Sequence, residues 1–233
     1  PYSDAPQTKG LLFVSNQEMQ SMVAKAASHG YQVNVHAIGD AGNLQVINSL
    51  AALKGKDSAS VLRHRIEHAQ VLQLSDIPRL KTSHIIPSMQ PTHATSDMNM
   101  AEDRVGKERL KGAYAWRTFL KQGSRIACGS DFPIESPNPF WGIYSAVSRQ
   151  DFDQKPEGGW HPEQAMTRLE AFRCFTLDAA YAARQENILG SLEKGKWADF
   201  IVIDQDIFTV PVKQIYQTQV LQTWQAGKQV YVK

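Results

Sequence analysis

The sequence predicts an α/β fold in which a mostly parallel sheet is covered by helices. One observation is an alternation along the chain between amphipathic stretches with helical spacing and short stretches in which apolar and polar side chains alternate. A second is that the intervening helices are long enough to serve as crossovers between parallel strands. A third is that this alternation stops near the C-terminus, where only strand-like patterns remain.

The predicted elements follow one another regularly through most of the chain. The first helix, residues 16–30, begins with Asn16 as its N-cap and stops at Gly30. A polar stretch at residues 92–107 predicts a long loop, and loops of this length inside a compact domain often carry function. Further helices are predicted at residues 41–54, 75–81, 110–122, 139–149 and 162–183, the last divided near Thr176. Strands are predicted at residues 31–38, 61–68, 85–89 and 125–130.

The last part of the chain loses helical periodicity. Apolar runs at residues 200–203, 220–224 and 230–232, with a turn between the last two, predict a small all-β element. We therefore predict two domains, with residues 1–187 in the α/β part and residues 188–233 in the β part.

The composition is that of an ordinary globular protein and excludes several classes. Forty-two per cent of the residues are hydrophobic, and 25 Lys and Arg nearly balance 23 Asp and Glu. No apolar run approaches the roughly 18 residues of a membrane span, and no basic block indicates nucleic-acid binding. The only two cysteines, Cys128 and Cys174, lie in apolar contexts, where we expect two separate buried thiols.

Three predicted strands end in side chains that can bind a metal ion: His36, His68 and Asp131. The carboxyl ends of parallel strands build the active site in such folds, so two imidazoles and one carboxylate would converge there. These are nitrogen and oxygen ligands that suit Zn²⁺ and leave room for a water molecule. Taken alone, each side chain is more often a structural hydrogen-bonding group, a turn former or a helix cap than a metal ligand. The three together favour a metal site.

Two further polar side chains follow the strand predicted at residues 85–89. Gln90 stands at its end and His93 opens the predicted polar loop, so both are candidates for contact with a substrate. Cys128 has no neighbouring base in the sequence and faces outward by strand parity, which argues against a thiol nucleophile.

The sequence resembles the amidohydrolase superfamily of metal-dependent hydrolases, specifically the branch that includes N-substituted formamide deformylase. The resemblance covers nearly the whole chain. It rests on five motifs in the same order: HAIGD at residues 36–40, RIEHAQ at 65–70, QPTH at 90–93, GSDFPIE at 129–135 and GSLEKGKWADF at 190–200.

The resemblance implies the second half of a (β/α)₈ TIM-type barrel, strands five to eight, followed by the C-terminal strands of a small β-sandwich domain. His36 and His68 would be metal ligands that end strands five and six. Asp131 would end strand eight, contact the metal and handle the proton of the attacking water. The family's first-strand His-x-His pair is absent from the sequence. We therefore expect a fragment that is inactive alone and binds metal weakly or not at all.

The expected activity of the full-length protein is metal-dependent hydrolysis of a non-peptide C–N bond in a small amide, N-formyl or related compound, with Zn²⁺ or another divalent ion as cofactor. The alternative is a regulatory or binding protein on an inactive amidohydrolase scaffold, because a fold alone does not establish activity. A second copy of the chain, in a homo-oligomer, could cover the open sheet edges. We expect neither nucleic acid nor a membrane span among its partners.

Overall fold

A computed structural model describes all residues from Pro1 to Lys233. The chain divides into two compact units. The first unit consists of Pro1–Met89 and Ser96–Ile126, and the second consists of Gln90–Thr95 and Ala127–Lys233. No helix combines the length and the apolar character needed to cross a membrane.

The first unit contains three parallel strands connected by helices. Its strands are β1 (Asn34–Ala37), β2 (Arg65–His68) and β3 (Ile86–Met89). Its helices are α1 (Asn16–Ser28), α2 (Asp40–Ala51), α3 (Ala59–Leu62), α4 (Ile77–Thr82), α5 (Pro91–Leu110) and α6 (Trp116–Lys121), of which α5 begins in the second unit's short segment. Strand β2 pairs in parallel with both β1 and β3. The predicted α/β fold with a parallel sheet is confirmed.

The connecting helices bury one apolar face each against the sheet. Ile47 and Leu50 of α2 are fully buried, as are Ile77 and Leu80 of α4, and Ile66 is buried in β2. Burial of each such side chain contributes about 1.5–3 kcal/mol relative to leaving it in water. This packing holds the helices against the sheet that contains β1 and β2.

The second unit combines helices with an antiparallel sheet. Its elements are β4 (Ala127–Cys128), α7 (Pro139–Ser148), α8 (Arg168–Phe175), α9 (Leu177–Ala182), β5 (Phe200–Ile203), β6 (Val220–Gln225) and β7 (Lys228–Val232). Strands β5, β6 and β7 pair in that order, and the rings of Phe200 and Trp224 stack across β5 and β6 at 5.4 Å. The predicted β-structure near the C-terminus and the division of the helical region at Thr176 are both confirmed.

The predicted loop at residues 92–107 is wrong, because these residues belong to helix α5. Polar composition favours a loop, but Thr92 to Val105 contains no glycine or proline and is rich in residues that tolerate a helix. Ala94 and Ala101 are buried, which gives the helix a face to pack. The helical conformation is interrupted only at Gly106, where φ is 73°.

Several predicted boundaries also shift. The N-cap of α1 is Ser15, whose Oγ accepts from the Glu18 N–H while the Glu18 carboxylate accepts from the Ser15 N–H, a capping box that sequence analysis missed by one residue. The strand predicted at residues 61–68 begins only at Arg65, because Ala59–Leu62 forms α3 and Arg63 turns the chain at a φ of 57°.

The two cysteines are bonded to each other. Cys128 of β4 and Cys174 of α8 are joined in a disulfide, and no free cysteine remains. The expectation of two buried thiols was wrong, although the outward direction of Cys128 agrees with its bond to a helix. Cys128 and Cys174 are 46 positions apart in the sequence, and the segment that the disulfide closes contains Asp131 and α7.

Removal of the disulfide should destabilise the second unit. In the double variant Cys128→Ser/Cys174→Ser, the unfolded chain regains the entropy of an open loop, so we expect the free energy of unfolding to fall by about 3–4 kcal/mol. Urea unfolding of the wild-type and variant proteins measures this, with reduced wild-type protein as the control. Two titratable thiols in denatured, unreduced wild-type protein would contradict the pairing.

His64 is a buried histidine held in one tautomer immediately before β2. Its Nδ1 accepts from the Val33 N–H at 2.9 Å, so Nε2 carries the proton and donates to the Asp57 carbonyl at 2.8 Å. Burial lowers the pKa of His64 below its ordinary value of 6.5, against a smaller opposing effect of the bond to Asp57. The neutral ring therefore joins the chain before β1 to the start of β2.

The lowered pKa of His64 predicts loss of stability in mild acid. The unfolded chain takes up the proton first, so the contribution of His64 is complete above pH 6.5 and is lost as the pH falls through the lower pKa of the folded state. We expect His64→Gln to be less stable near pH 7.5 and to have a flatter pH dependence below it. Urea unfolding at several pH values checks this. The exposed His29→Gln variant, as control, should keep the wild-type slope.

Candidate metal centre

His36 and His68 lie close together at the carboxyl edge of the first unit's sheet. In the β1–β2 ladder, His36 is opposite Glu67 and Ala37 is opposite His68, so the two histidines stand at neighbouring strand ends. Their ring centroids are 4.4 Å apart and the rings meet edge to face at 76°. His68 is buried, whereas His36 is exposed. The structure thus brings together the two imidazoles that sequence analysis selected.

The chain reverses sharply at the end of β2. His68 and Ala69 both have left-handed backbone conformations, with φ values of 78° and 46°. Two consecutive non-glycine residues in this region are uncommon, and each costs on the order of 1–3 kcal/mol unless its surroundings hold it there. The Ala69 N–H donates to the Ala37 carbonyl at 3.1 Å, and the Val71 N–H donates to the Ile38 carbonyl at 2.9 Å. The end of β1 therefore helps to hold the turn that carries His68.

Asn43 holds the turn after β1 and was missed by sequence analysis. This buried side chain of α2 places its Nδ2 within 3.0–3.2 Å of four carbonyl oxygens. One belongs to Ala37 at the end of β1, two belong to Ile38 and Gly39 in the turn after it, and one belongs to Val71 beyond β2. The sequence does contain a signal for this role. Asn43 is a polar residue three positions before Val46 and four before Ile47, which places it on the apolar face of the helix.

Gln90 and His93 lie within one helical turn of each other in the second unit. Gln90 directly follows β3, and the His93 N–H donates to the Gln90 carbonyl at 3.1 Å in the first turn of α5. Both side chains are buried. His93 is therefore a helical residue and not the loop residue that sequence analysis predicted.

Asp131 follows β4 in the second unit. Its backbone is left-handed, with a φ of 57°, and its carbonyl accepts from the Ile134 N–H at 2.8 Å, which closes a tight turn. The carboxylate is exposed. No group of three or more His, Cys, Asp or Glu side chains in the structure is close enough to hold a metal ion. Of the three metal ligands that the resemblance implies, the structure shows contact between His36 and His68.

The chemistry of this pair fits a divalent metal ion. Imidazole nitrogens are ligands that Zn²⁺ and other first-row divalent ions accept, usually together with carboxylates. Parallel strands of α/β folds present such side chains at their carboxyl ends, where His36 and His68 lie. The two histidines are therefore suited to hold part of a metal site.

The chain matches the model of the Amidohydrolase family over residues 1–231. It belongs to the amidohydrolase family. The resemblance recognised from the five sequence motifs is confirmed, including the relationship to N-substituted formamide deformylase.

Relatives of this chain include an enzyme and proteins of solved structure. The chain is 33% identical to YtcJ of Bacillus subtilis strain 168 over 234 residues, which cover 100% of this chain and 44% of that protein. It is 27% identical to the N-substituted formamide deformylase of Arthrobacter pascens, over 94% of this chain and 40% of that enzyme. An uncharacterized metal-dependent hydrolase from Pyrococcus horikoshii OT3 has a similar structure, with a TM-score of 0.78, 29% identity, and coverage of 91% of this chain and 42% of that one. The chain thus spans less than half the length of each.

Replacement of either histidine of the pair should lower the metal content of the full-length protein. We expect His36→Gln and His68→Gln each to weaken metal binding by more than the roughly 10–100-fold that follows loss of an outer hydrogen-bond partner. Elemental analysis after dialysis against a weak chelator measures this. The exposed His29→Gln variant is the matched control. Unchanged metal content in both variants would show that the pair is not a ligand set.

Proposed function

We propose that the full-length protein is a metal-dependent amidohydrolase that cleaves a non-peptide C–N bond in a small amide, N-formyl or related compound. The observation that carries this proposal is the contact between His36 and His68 at the carboxyl edge of a parallel sheet. The family match over residues 1–231 supports it, as do relatives described as a formamide deformylase and as metal-dependent hydrolases.

We further propose that the chain is the second half of a (β/α)₈ barrel, with the C-terminal strands of a small β-sandwich domain. Residues 1–187 would form the barrel part and residues 188–233 the sandwich part. The parallel strands β1 to β3 and the antiparallel strands β5 to β7 support this reading, as does coverage of less than half of each relative. Because the sequence contains no His-x-His pair, the chain alone would lack part of the metal site and be inactive.

His36, His68 and Asp131 are the proposed metal ligands. A divalent ion held by them, Zn²⁺ in this proposal, would supply a Lewis acid that polarises the substrate carbonyl and lowers the pKa of bound water to about 7. The Asp131 carboxylate accepts the proton of the attacking water on one oxygen. It then delivers that proton to the leaving amine nitrogen, which must be protonated before the C–N bond breaks.

Gln90 and His93 are the proposed substrate contacts. Both are buried, Gln90 directly after β3 in the chain and His93 in the first turn of α5, and a buried polar side chain can be kept in one orientation. The amide of Gln90 offers a donor and an acceptor, which match the carbonyl and N–H of an amide substrate. His93 adds a ring nitrogen that can donate to the same carbonyl.

Asp131→Asn in the full-length protein tests the assigned proton transfer. The amide cannot accept the proton of water, so we expect kcat on N-formyl amines to fall by about 10²–10⁴-fold while the protein remains folded. Asp153→Asn, which changes an exposed carboxylate of the same unit, is the matched control and should keep wild-type activity.

Activity of Asp131→Asn near the wild-type level would disprove the proton-transfer role. A panel of N-formyl amines, simple amides and cyclic amides assayed with metal-loaded wild-type protein tests the reaction class. Absence of hydrolysis across this panel would favour the regulatory or binding protein on an inactive scaffold.

A further inference from the structure

Gln70, Asp97 and Tyr114 form a closed hydrogen-bonded group in the first unit, two residues beyond His68. The Gln70 Nε2 donates to the Tyr114 hydroxyl oxygen at 2.6 Å and to the Asp97 Oδ2 at 3.1 Å. The Tyr114 hydroxyl donates its proton to the same Asp97 oxygen. The two amide protons of Gln70 and the hydroxyl proton of Tyr114 are thus all used, and one carboxylate oxygen accepts two of them. We name this group the Asp97 network.

The Asp97 network is shielded from water. Gln70 and Tyr114 are buried, and Asp97, on α5, is partly buried. Hydrogen bonds to a charged acceptor are roughly twice as strong as neutral ones, and the difference grows as water is excluded. The Asp97 carboxylate is therefore the group that holds the other two side chains in place.

The backbone on either side of Gln70 is fixed to the segment around Tyr114. The Tyr114 N–H donates to the Gln70 carbonyl at 2.7 Å, and the Leu72 N–H donates to the Gly112 carbonyl at 3.0 Å. Gly112 must be glycine, because a Cβ there would stand 1.8 Å from the Leu72 carbonyl oxygen. Gln70 is thus held by its side chain and its backbone at the same time.

The turn directly before Gln70 is formed by the left-handed residues His68 and Ala69. Bonds from Ala69 and Val71 to the end of β1 hold one side of the turn, as described above. The Asp97 network holds the residue that follows it. Without this second attachment, His68 and Ala69 could relax toward the common β or helical regions, which would change the direction of the His68 ring.

We propose that Asp97 is a positioning residue for the metal centre, which through Tyr114 and Gln70 holds the turn at His68–Ala69 and so directs the His68 imidazole toward His36. This inference rests on the proposed function only for its effect on metal binding. The ring contact that it explains is a feature of the structure itself.

The test compares Asp97→Asn and Tyr114→Phe with the wild-type full-length protein. Tyr114→Phe removes one hydroxyl and keeps the ring in the core. The matched controls are Asp103→Asn, an exposed carboxylate on the same helix, and Tyr31→Phe, an exposed hydroxyl of the same unit. Metal-free protein with ¹³C-labelled histidine is used first, and its His36 and His68 ring signals are assigned with the His36→Gln and His68→Gln variants.

We expect both network variants to weaken or remove the cross-relaxation signal between the His36 and His68 ring protons while circular dichroism shows a folded protein. Metal affinity, measured by competition with a fluorescent chelator, should then fall by about 10–100-fold. The two control variants should match the wild-type protein in both measurements.

Wild-type ring signals in both network variants would overturn the proposal. Failure of the proposed function is a separate result: the wild-type protein would then bind no metal and hydrolyse nothing, while the ring signals would still decide the role of Asp97. Misfolding of Asp97→Asn leaves Tyr114→Phe to decide, because that variant loses a single oxygen atom.

Discussion

The parallel ladder between β1 and β2 is the constraint on which the candidate metal centre depends. Each strand has only four residues, and their register sets Ala37 opposite His68. Because side chains alternate along a strand, a slip of one residue would turn the β2 side chains to the other face. Asn34 is opposite Arg65 and His36 is opposite Glu67, so the Arg65–Glu67 ion pair, with an N–O distance of 2.9 Å, lies on the same face as His36. His68 is in step with Ile66 on the other face, and its left-handed backbone, with a φ of 78°, departs from this alternation.

The ladder alone does not set the direction of the imidazoles, because both strands end at the candidate centre. Polar side chains from outside the sheet complete the structure there. Asn43 of α2 donates hydrogen bonds to carbonyls at the end of β1 and in the turn after it. The Asp97 network holds the chain after β2. In each case a buried polar side chain supplies hydrogen bonds that a longer ladder would otherwise make. In the second unit, where β4 has only two residues, the Cys128–Cys174 disulfide gives a covalent attachment three residues before Asp131.

Sequence patterns predicted the elements whose residues interact locally. The alternation of helices and strands, the division at Thr176 and the C-terminal β-structure follow from periodicity and turn residues, and the structure contains each of them. The prediction of a loop at residues 92–107 was wrong because a polar composition does not prevent a helix where helix-breaking residues are absent. No such residue occurs between Thr92 and Gly106. The contact of His36 with His68 could be expected because both end neighbouring parallel strands.

The supporting interactions could not be predicted in the same way, because they join residues that are distant in sequence. Gln70 bonds to residues 27 and 44 positions away, and the disulfide joins residues 46 positions apart. No local pattern encodes such distances; only the folded core brings these side chains together. Asn43 does leave a local trace, because it is a polar residue at a buried position of helix α2. A polar side chain is buried at low cost where its hydrogen bonds offset the loss of water, and those of Asn43 hold the turn after β1 at the candidate centre.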